Sequence, residues 1–332
     1  MRSGGRPGPR RSAGTAPAAG TPDEALVNAL PPARLRLRPR TDGRIAVTPR
    51  RAGWRYLSFR VETVGSDVAD AGPRREERAI VVLGGGGLEA TVGGRTLRLE
   101  GRADVFSGLP WALYLPAGTE AALRGIPGSE AGRVTIAVAS APPSGRNDAS
   151  GAPVIVTPND VRVEVRGAGN ATRQINHVIA PDFPADRLEV VEVLTPSGNW
   201  SSWPPHKHDE DRMPHEAVLE EIYHYRFRRP AAWAIQRLYR RPERGLPPRN
   251  ALWEVRDGDV VLVTDGYHPF VASHGDDAYY LNALAGDRRT MACSFDPDLD
   301  WVRGTWEEMA ADPRVPLVTT PGGRPPAPTP AA

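Results

Sequence analysis

"NWSSWPPHKHDEDRMPHEAVLEEIYHYRF", residues 199–227, holds four of the seven histidines in the chain. His206 and His208 flank a single lysine, Lys207, and the adjacent glutamates Glu220 and Glu221 follow a polar stretch. On a β-strand, residues two apart point to the same face. His206 and His208 are therefore expected to aim into one space, with Lys207 turned away. Glu221 opens the next β run and shares its parity with Tyr223, Tyr225 and Phe227, whereas Glu220 has the opposite parity. Further on, "DGDVVLVTDGYHPF" sets His268 after Gly266 and Tyr267 and before Pro269, a turn able to hold an imidazole still. Three imidazoles and one carboxylate make a mixed nitrogen and oxygen set suited to a borderline divalent ion such as Zn, Mn, Fe or Ni. A bare His-X-His is also what a polar strand face looks like, so the motif by itself decides nothing.

All seven histidines (177, 206, 208, 215, 224, 268 and 274) lie in the second half of the chain. A histidine-ligated metal therefore belongs to that half. His215 falls in a loop and His224 has the wrong parity to accompany Glu221, so both are read as structural. His177, His274 and the single cysteine, Cys293, which looks buried, receive no role.

Around this segment the sequence is β-like. "GRIAVTP", "RYLSFRVETV", "WALYLPAGTEAALRG", "VIVTPNDVRVEVRG", "RLEVVEVLTPSG", "WAIQRLYRR" and "AYYLNALAG" are short runs rich in Val, Ile, Leu and Tyr. Gly and Pro punctuate them about every ten residues. "ATVGGRTLRL" predicts a hairpin, since Gly93 and Gly94 suit a two-residue primed turn. Helical periodicity is scarce, and "TWEEMAAD" is its best instance. Evenly spaced strands argue for an all-β fold of two tandem units. The expected boundaries are a disordered tail at 1–30, a first unit at 31–142, a second at 153–306 and a second disordered tail at 318–332. The loop "SAPPSGRNDASGAP", residues 140–153, separates the units.

The 332 residues carry 42 basic and 40 acidic side chains, a net charge of +2, which gives no electrostatic reason to expect a nucleic-acid or membrane partner. One cysteine excludes an intramolecular disulfide and any cysteine-rich metal site. The basic N-terminus lacks the apolar run of a secretory signal, and no stretch reaches roughly 18 uninterrupted apolar residues. A cytoplasmic location is the expectation. "VVLGGGGLEATVGG" is glycine-rich, but no helical pattern follows it, so it reads as a β-turn and not as a phosphate cradle.

The second half resembles the 5-deoxy-glucuronate isomerase family through "VVEVLTPSGNWSSWPPHKHD", "LEEIYHYRF", "AIQRLY", "DGDVVLVTDGYHP" and "YYLNALAGDRR". The first half is similar to that family's N-terminal unit through "TPRRAGWRYLSFRV" and "GRADVFSGLPWALYLPAGT". The resemblance implies a bicupin, two tandem β-barrels of jelly-roll type, with the metal in the C-terminal one. It implies His206, His208, Glu221 and His268 as ligands of one divalent ion per chain, Zn foremost and Mn, Fe or Ni as alternatives. Twelve residues separate His208 from Glu221, more than in most cupins, and this leaves Glu220 as a rival ligand.

The implied activity is an aldose–ketose isomerisation of 5-deoxy-D-glucuronate to 2-deoxy-5-keto-D-gluconate in myo-inositol catabolism. Its small sugar-acid substrate is the expected partner, and homo-oligomerisation is left open. Alternatives are a uronate ketol-isomerase of the pectin pathway and a non-catalytic sugar-acid-binding cupin. Proton transfer needs a base, for which Glu220, Asp209, Asp265 and Glu221 stand open. The substrate carboxylate wants a cation. Arg237 is the first choice, with Arg173 and Lys207 as rivals. Tyr223, Tyr225 and Tyr280 are read as lining either the pocket or the barrel core.

Overall fold

The computed structural model describes residues 30–126, 133–145, 151–242 and 247–320. The chain is built almost wholly of antiparallel strands. In the second half a seven-stranded sheet runs in the order Arg36–Leu37, Val260–Val263, Leu219–Phe227, Ala278–Gly286, Leu188–Thr195, Arg173–Ile179, Arg162–Arg166. A four-stranded sheet, Trp200–Ser201, Phe270–Ala272, Ala234–Arg240 and Arg249–Val255 in that order, covers one of its faces. The first half repeats the plan with a six-stranded and a four-stranded sheet.

Side-chain alternation decides how these layers stack. In the Val134–Ala141 strand, Ile136 and Val138 join an apolar cluster with Leu88, Leu99 and Leu123 of the first half's smaller sheet. Ala137 and Ala139 of the same strand pack the other way, in the cluster holding Leu188, Ile222 and Leu281. The two large sheets thus stand back to back, and each smaller sheet caps an outer face.

Each half lends a strand to the other. Arg36–Leu37 pairs with Val260–Val263, and Val154–Val156 pairs with Ala112–Leu115. The chain therefore crosses between the halves before and after the first unit, which the sequence boundaries did not anticipate. Polar locks reinforce the join. Glu77, buried, accepts from the backbone N–H groups of Asp186, Arg187 and Leu188 (2.8, 2.6 and 2.9 Å) and from the Tyr114 hydroxyl. Arg102 and Glu192 form a fully buried ion pair across the same seam.

The hairpin expected at Gly93 and Gly94 is present. Both glycines have positive φ (+55° and +77°), as a primed turn requires, and Val92 pairs with Arg95. The expected helix near the C-terminus is displaced: a 3-10 helix covers Asp300–Glu308, and Ala310–Ala311 run extended beside Gly169. A short α-helix at Pro49–Ala52, capped by the Thr48 hydroxyl, escaped the periodicity because one turn is too short to show it. The tails expected at both ends lie mostly outside the described residues. Val318, assigned to the C-terminal tail, is buried, and Gln174 bonds its backbone. Among the described residues no helix is long and apolar enough to cross a membrane.

His224 projects from the Leu219–Phe227 strand into this seam, 5.9 Å from the Phe59 ring, with neither ring nitrogen hydrogen-bonded. Burial, helped by Arg226, pushes its pKa down to about 3 from 6.5. The folded protein holds it neutral while the unfolded chain takes up a proton below 6.5. Its contribution is therefore intact above that pH and is lost as pH falls toward the folded value. His224→Leu should make stability less steep on acidification, by about 1.4 kcal/mol per pH unit between about pH 6 and pH 4. Urea unfolding across that range measures it, and an unchanged slope refutes it.

Candidate metal centre

Glu221 lies on the face of the Leu219–Phe227 strand turned toward the smaller sheet. Its Oε2 is 2.8 Å from His208 Nε2 and 3.4 Å from His268 Nε2. One ligand atom from each of these three residues lies within 4.8 Å of the others, and all three residues are buried. His206 borders the group, its ring centroid 4.6 Å from that of His268 and 6.5 Å from that of His208. Of the four expected ligands, the fold brings three into one tight cluster and stands the fourth beside it.

The ring orientations are fixed from behind. His208 Nδ1 is 3.0 Å from the Leu219 carbonyl oxygen, His268 Nδ1 is 3.0 Å from that of Gly266, and His206 Nδ1 is 3.4 Å from that of Pro204. A carbonyl only accepts, so each Nδ1 donates; His268 Nε2 is then left with its lone pair, whereas His208 Nε2 donates to Glu221 Oε2 when it carries a proton and offers a lone pair once that proton is displaced. Histidines that bind metal through Nε2 are held in this way. The buried His268 Nε2 has no hydrogen-bond partner. Inward lone pairs beside a carboxylate, one of them orphaned, fit a borderline divalent cation. Burial and the neighbouring imidazoles push His206 and His268 down to about 3. For His208 burial acts the same way, but the Glu221 hydrogen bond and charge outweigh it and raise the pKa.

Local sequence explains the cradle. His206–Lys207 pairs with Ser294–Phe295 as a short ribbon. Lys207 points away from the cluster into Asp209, Glu210 and Glu216, at 2.8, 2.8 and 3.0 Å. Asp209 also accepts from the Gly266 N–H at 2.8 Å, tying the His-X-His segment to the turn that carries His268. Gly266 has φ +83°, and a Cβ there would strike the Tyr239 carbonyl, so only glycine serves.

The other residues singled out in the sequence divide sharply. Tyr223 joins the site: its ring is 5.9 Å from His268, and its hydroxyl meets Ser202 at 2.8 Å. Burial and the nearby Glu221 hold that hydroxyl protonated. Tyr280 lies alongside, bonded to Ser201. Glu220 faces the opposite way and accepts from the backbone N–H groups of Arg55, Tyr56 and Leu57 at 2.6, 3.0 and 2.7 Å. It clamps the two halves and is not brought to the cluster. Asp265 is held by Arg240 and Arg249. Arg237 is directed outward, bonded to Asn250 and stacked on Tyr239, because its neighbour Gln236 takes the inward parity.

Arg173 faces inward by the parity of its strand, opposite Arg166 of the neighbouring strand. It is buried, makes one hydrogen bond, to the Ala171 carbonyl at 3.1 Å, and lies over the Trp306 ring. Among the described residues no carboxylate is ion-paired with it, and burial pulls its pKa down to about 10. Its charge, together with that of Arg166, helps to depress His206. Cys293 is half-buried and not fully enclosed. Glu189 escaped the sequence reading. It is buried on the inward face of the Leu188–Thr195 strand, and neither carboxylate oxygen is hydrogen-bonded. Its only signal was a charge inside the apolar run "RLEVVEVL".

Residues 34–302 match the KduI/IolB family. The chain belongs to this family. It is 38% identical over 272 residues to 5-deoxy-glucuronate isomerase of Geobacillus kaustophilus, covering 80% of this chain and 92% of that one. It is 36% identical over 230 residues to the Lacticaseibacillus casei enzyme of the same name, covering 68% and 79%. Among solved structures, an IolB-like protein of Salmonella typhimurium superposes with a TM-score of 0.73 at 31% identity, covering 81% of this chain and 98% of that one. Lactobacillus farciminis oxalate decarboxylase superposes at 0.52 with 12% identity, covering 79% and 88%, a likeness of fold alone.

Because Glu220 serves the seam, Glu220→Ala should lower the unfolding free energy by about 2–4 kcal/mol through three unpaired amides. The divalent-metal content of the folded variant should be unchanged. Urea titration and elemental analysis of the purified protein test this, and a loss of metal with normal stability would contradict it.

Proposed function

We propose that this chain is a metal-dependent 5-deoxy-glucuronate isomerase converting 5-deoxy-D-glucuronate to 2-deoxy-5-keto-D-gluconate. The observation that carries this reading is the buried convergence of His208, Glu221 and His268, on the same inward face as an unpaired guanidinium. It is supported by family membership and by relatives bearing that enzyme name. In the same reading the fold is a bicupin, with a metal-free barrel over about residues 31–142 and a metal-binding one over 153–306. The setting is cytoplasmic inositol catabolism.

His206, His208, Glu221 and His268 would hold one divalent ion, with Zn the leading choice. When bound, such an ion supplies a Lewis acid that polarises the substrate carbonyl and stabilises the negative charge developing on oxygen. The remaining work falls to the chain itself. Tyr223 and Tyr280, kept protonated by burial, are positioned to donate to sugar hydroxyls, with Ser202 orienting both. Arg173 receives the substrate carboxylate at the far side of the cavity, where a planar fork can engage both oxygens. The apolar wall of Tyr225 and Phe270, whose rings stack at 5.7 Å, keeps bulk water from the reacting carbons.

Alanine at His208 or His268 should remove metal and turnover together, as elemental analysis and a ketose assay on 5-deoxy-glucuronate would show. A double variant with full activity refutes the metal site. Arg173→Leu should keep its metal and raise KM by about 10- to 100-fold, the cost of roughly 1.5–3 kcal/mol for a charge-assisted contact. An unchanged KM removes Arg173 from substrate recognition.

A further inference from the structure

The isomerisation needs a group that carries a proton between adjacent carbons, and the fold removes most candidates. Glu220 is bound by three backbone amides, Asp265 by two arginines, and Asp209 by Lys207 and the Gly266 amide. Glu221 is committed to the histidine cluster.

One inward carboxylate is left without such a commitment. In the seven-stranded sheet Glu221 pairs with Leu284, and Leu284 pairs with Glu189. The two glutamates thus occupy one row on one face, two strand spacings apart, or about 10 Å between Cα atoms before their side chains lean together. His177, the other inward side chain with an orphaned nitrogen, is a further strand away and is paired with Glu164 at 2.9 Å. Glu189 is 1% exposed, and both of its oxygens lack hydrogen bonds of normal geometry. Buried carboxylates are almost always bonded, so an orphan needs a reason. Arg289, the cation whose charge acts on it, spends its guanidinium on the carbonyls of Ala180, Phe183, Ala185 and Leu188.

We propose that Glu189 is the catalytic residue that carries the proton between C1 and C2 of the sugar acid. The proposal rests on the isomerase reading above. Counting from the aldehyde, Glu189 takes the proton from C2 as the C2–H bond breaks. The released electron pair forms the C1=C2 double bond of an enediolate, and negative charge develops on O1. The protonated glutamic acid then delivers the same proton to C1, the hydroxyl proton of O2 passes to O1, and the C2 ketone forms. Nothing is gained or lost, so no redox partner enters. Burial, offset by the field of Arg289 and the nearby Thr290 amide and His208, sets the carboxyl at about 7, where both giving and taking a proton are facile.

The test uses metal-loaded wild type, Glu189→Gln and Glu189→Asp, assayed with 5-deoxy-glucuronate. Metal content is measured by elemental analysis. Binding of the borohydride-reduced substrate, which cannot isomerise, is measured by calorimetry. Glu189→Gln should keep metal and analogue affinity within about threefold while kcat falls by about 10²- to 10⁴-fold. Glu189→Asp, which keeps the charge if Gln perturbs folding, should retain partial turnover, with the low-pH limb of its rate profile displaced from that of wild type. A Gln variant with wild-type kcat overturns the proposal. So does a Gln variant that loses metal or analogue binding along with turnover, or an Asp variant whose pH limb is unmoved. Wild type that binds metal yet leaves 5-deoxy-glucuronate unconverted overturns the isomerase reading itself, a result distinct from the others.

Discussion

The pleat of the single strand Leu219–Phe227 constrains everything else in the second half. Its odd residues, Glu221, Tyr223 and Tyr225, enter the cavity, while its even residues, Glu220, Ile222 and His224, enter the seam with the first half. A one-residue slip in register would exchange the two sets. Such a slip would put Glu220 among the imidazoles and strand Glu221 against the amides of residues 55–57. The strand cannot be wrong on one side and right on the other, so assembly of the site and adhesion of the two halves are one structural event.

The cavity is also an electrostatic arrangement left unfinished by the protein. Among the described residues Arg173 makes no ion pair, Glu189 makes no hydrogen bond of normal geometry, and His268 Nε2 has no hydrogen-bond partner. Each is costly in a low-dielectric interior. Their signs are ordered: a carboxylate and imidazole nitrogens gather at Glu221, and the Arg173 guanidinium lies over the Trp306 ring. A cation at one end and a carboxylate at the other would complete both. A polyhydroxylated chain with one acidic terminus matches that polarity, and a neutral sugar does not.

How much of this was legible in the sequence follows from distance along the chain. The grouping of His208, Glu221 and His268 rests on period-two alternation and one tight turn, both local, and the residues could be named from parity. Gly93–Gly94 was legible for the same reason. That Glu220 faces away from Glu221 followed from the same parity, but its partners did not, and neither did the fates of Arg237 and Glu189, because these depend on pairings between segments far apart. Glu220 is decided by amides 163 to 165 residues away, Glu189 by a row running through Leu284, and Arg237 by the inward claim of Gln236 on Tyr225. The lending of Arg36–Leu37 and Val154–Val156 between halves is hidden likewise, since composition cannot reveal which sheet a short strand joins.

The first half contains no histidine, yet it bears on the site through position. Three of the strands that carry inward groups, Leu188–Thr195, Leu219–Phe227 and Ala278–Gly286, are fastened on their outward side by polar contacts from the first half. Glu77 grips the backbone amides at the start of Leu188–Thr195, next to Glu189. Arg102 holds Glu192 on that strand and, through it, meets Tyr279, the neighbour of Tyr280. The amides of Arg55–Leu57 hold Glu220, the neighbour of Glu221. Inward groups with unsatisfied charges would drift toward water if their strands were free to shift by a few tenths of an ångström. Anchoring each strand one residue away from its functional side chain opposes that drift without touching the cavity. The histidine-free first half is thus the wall against which the second half is set.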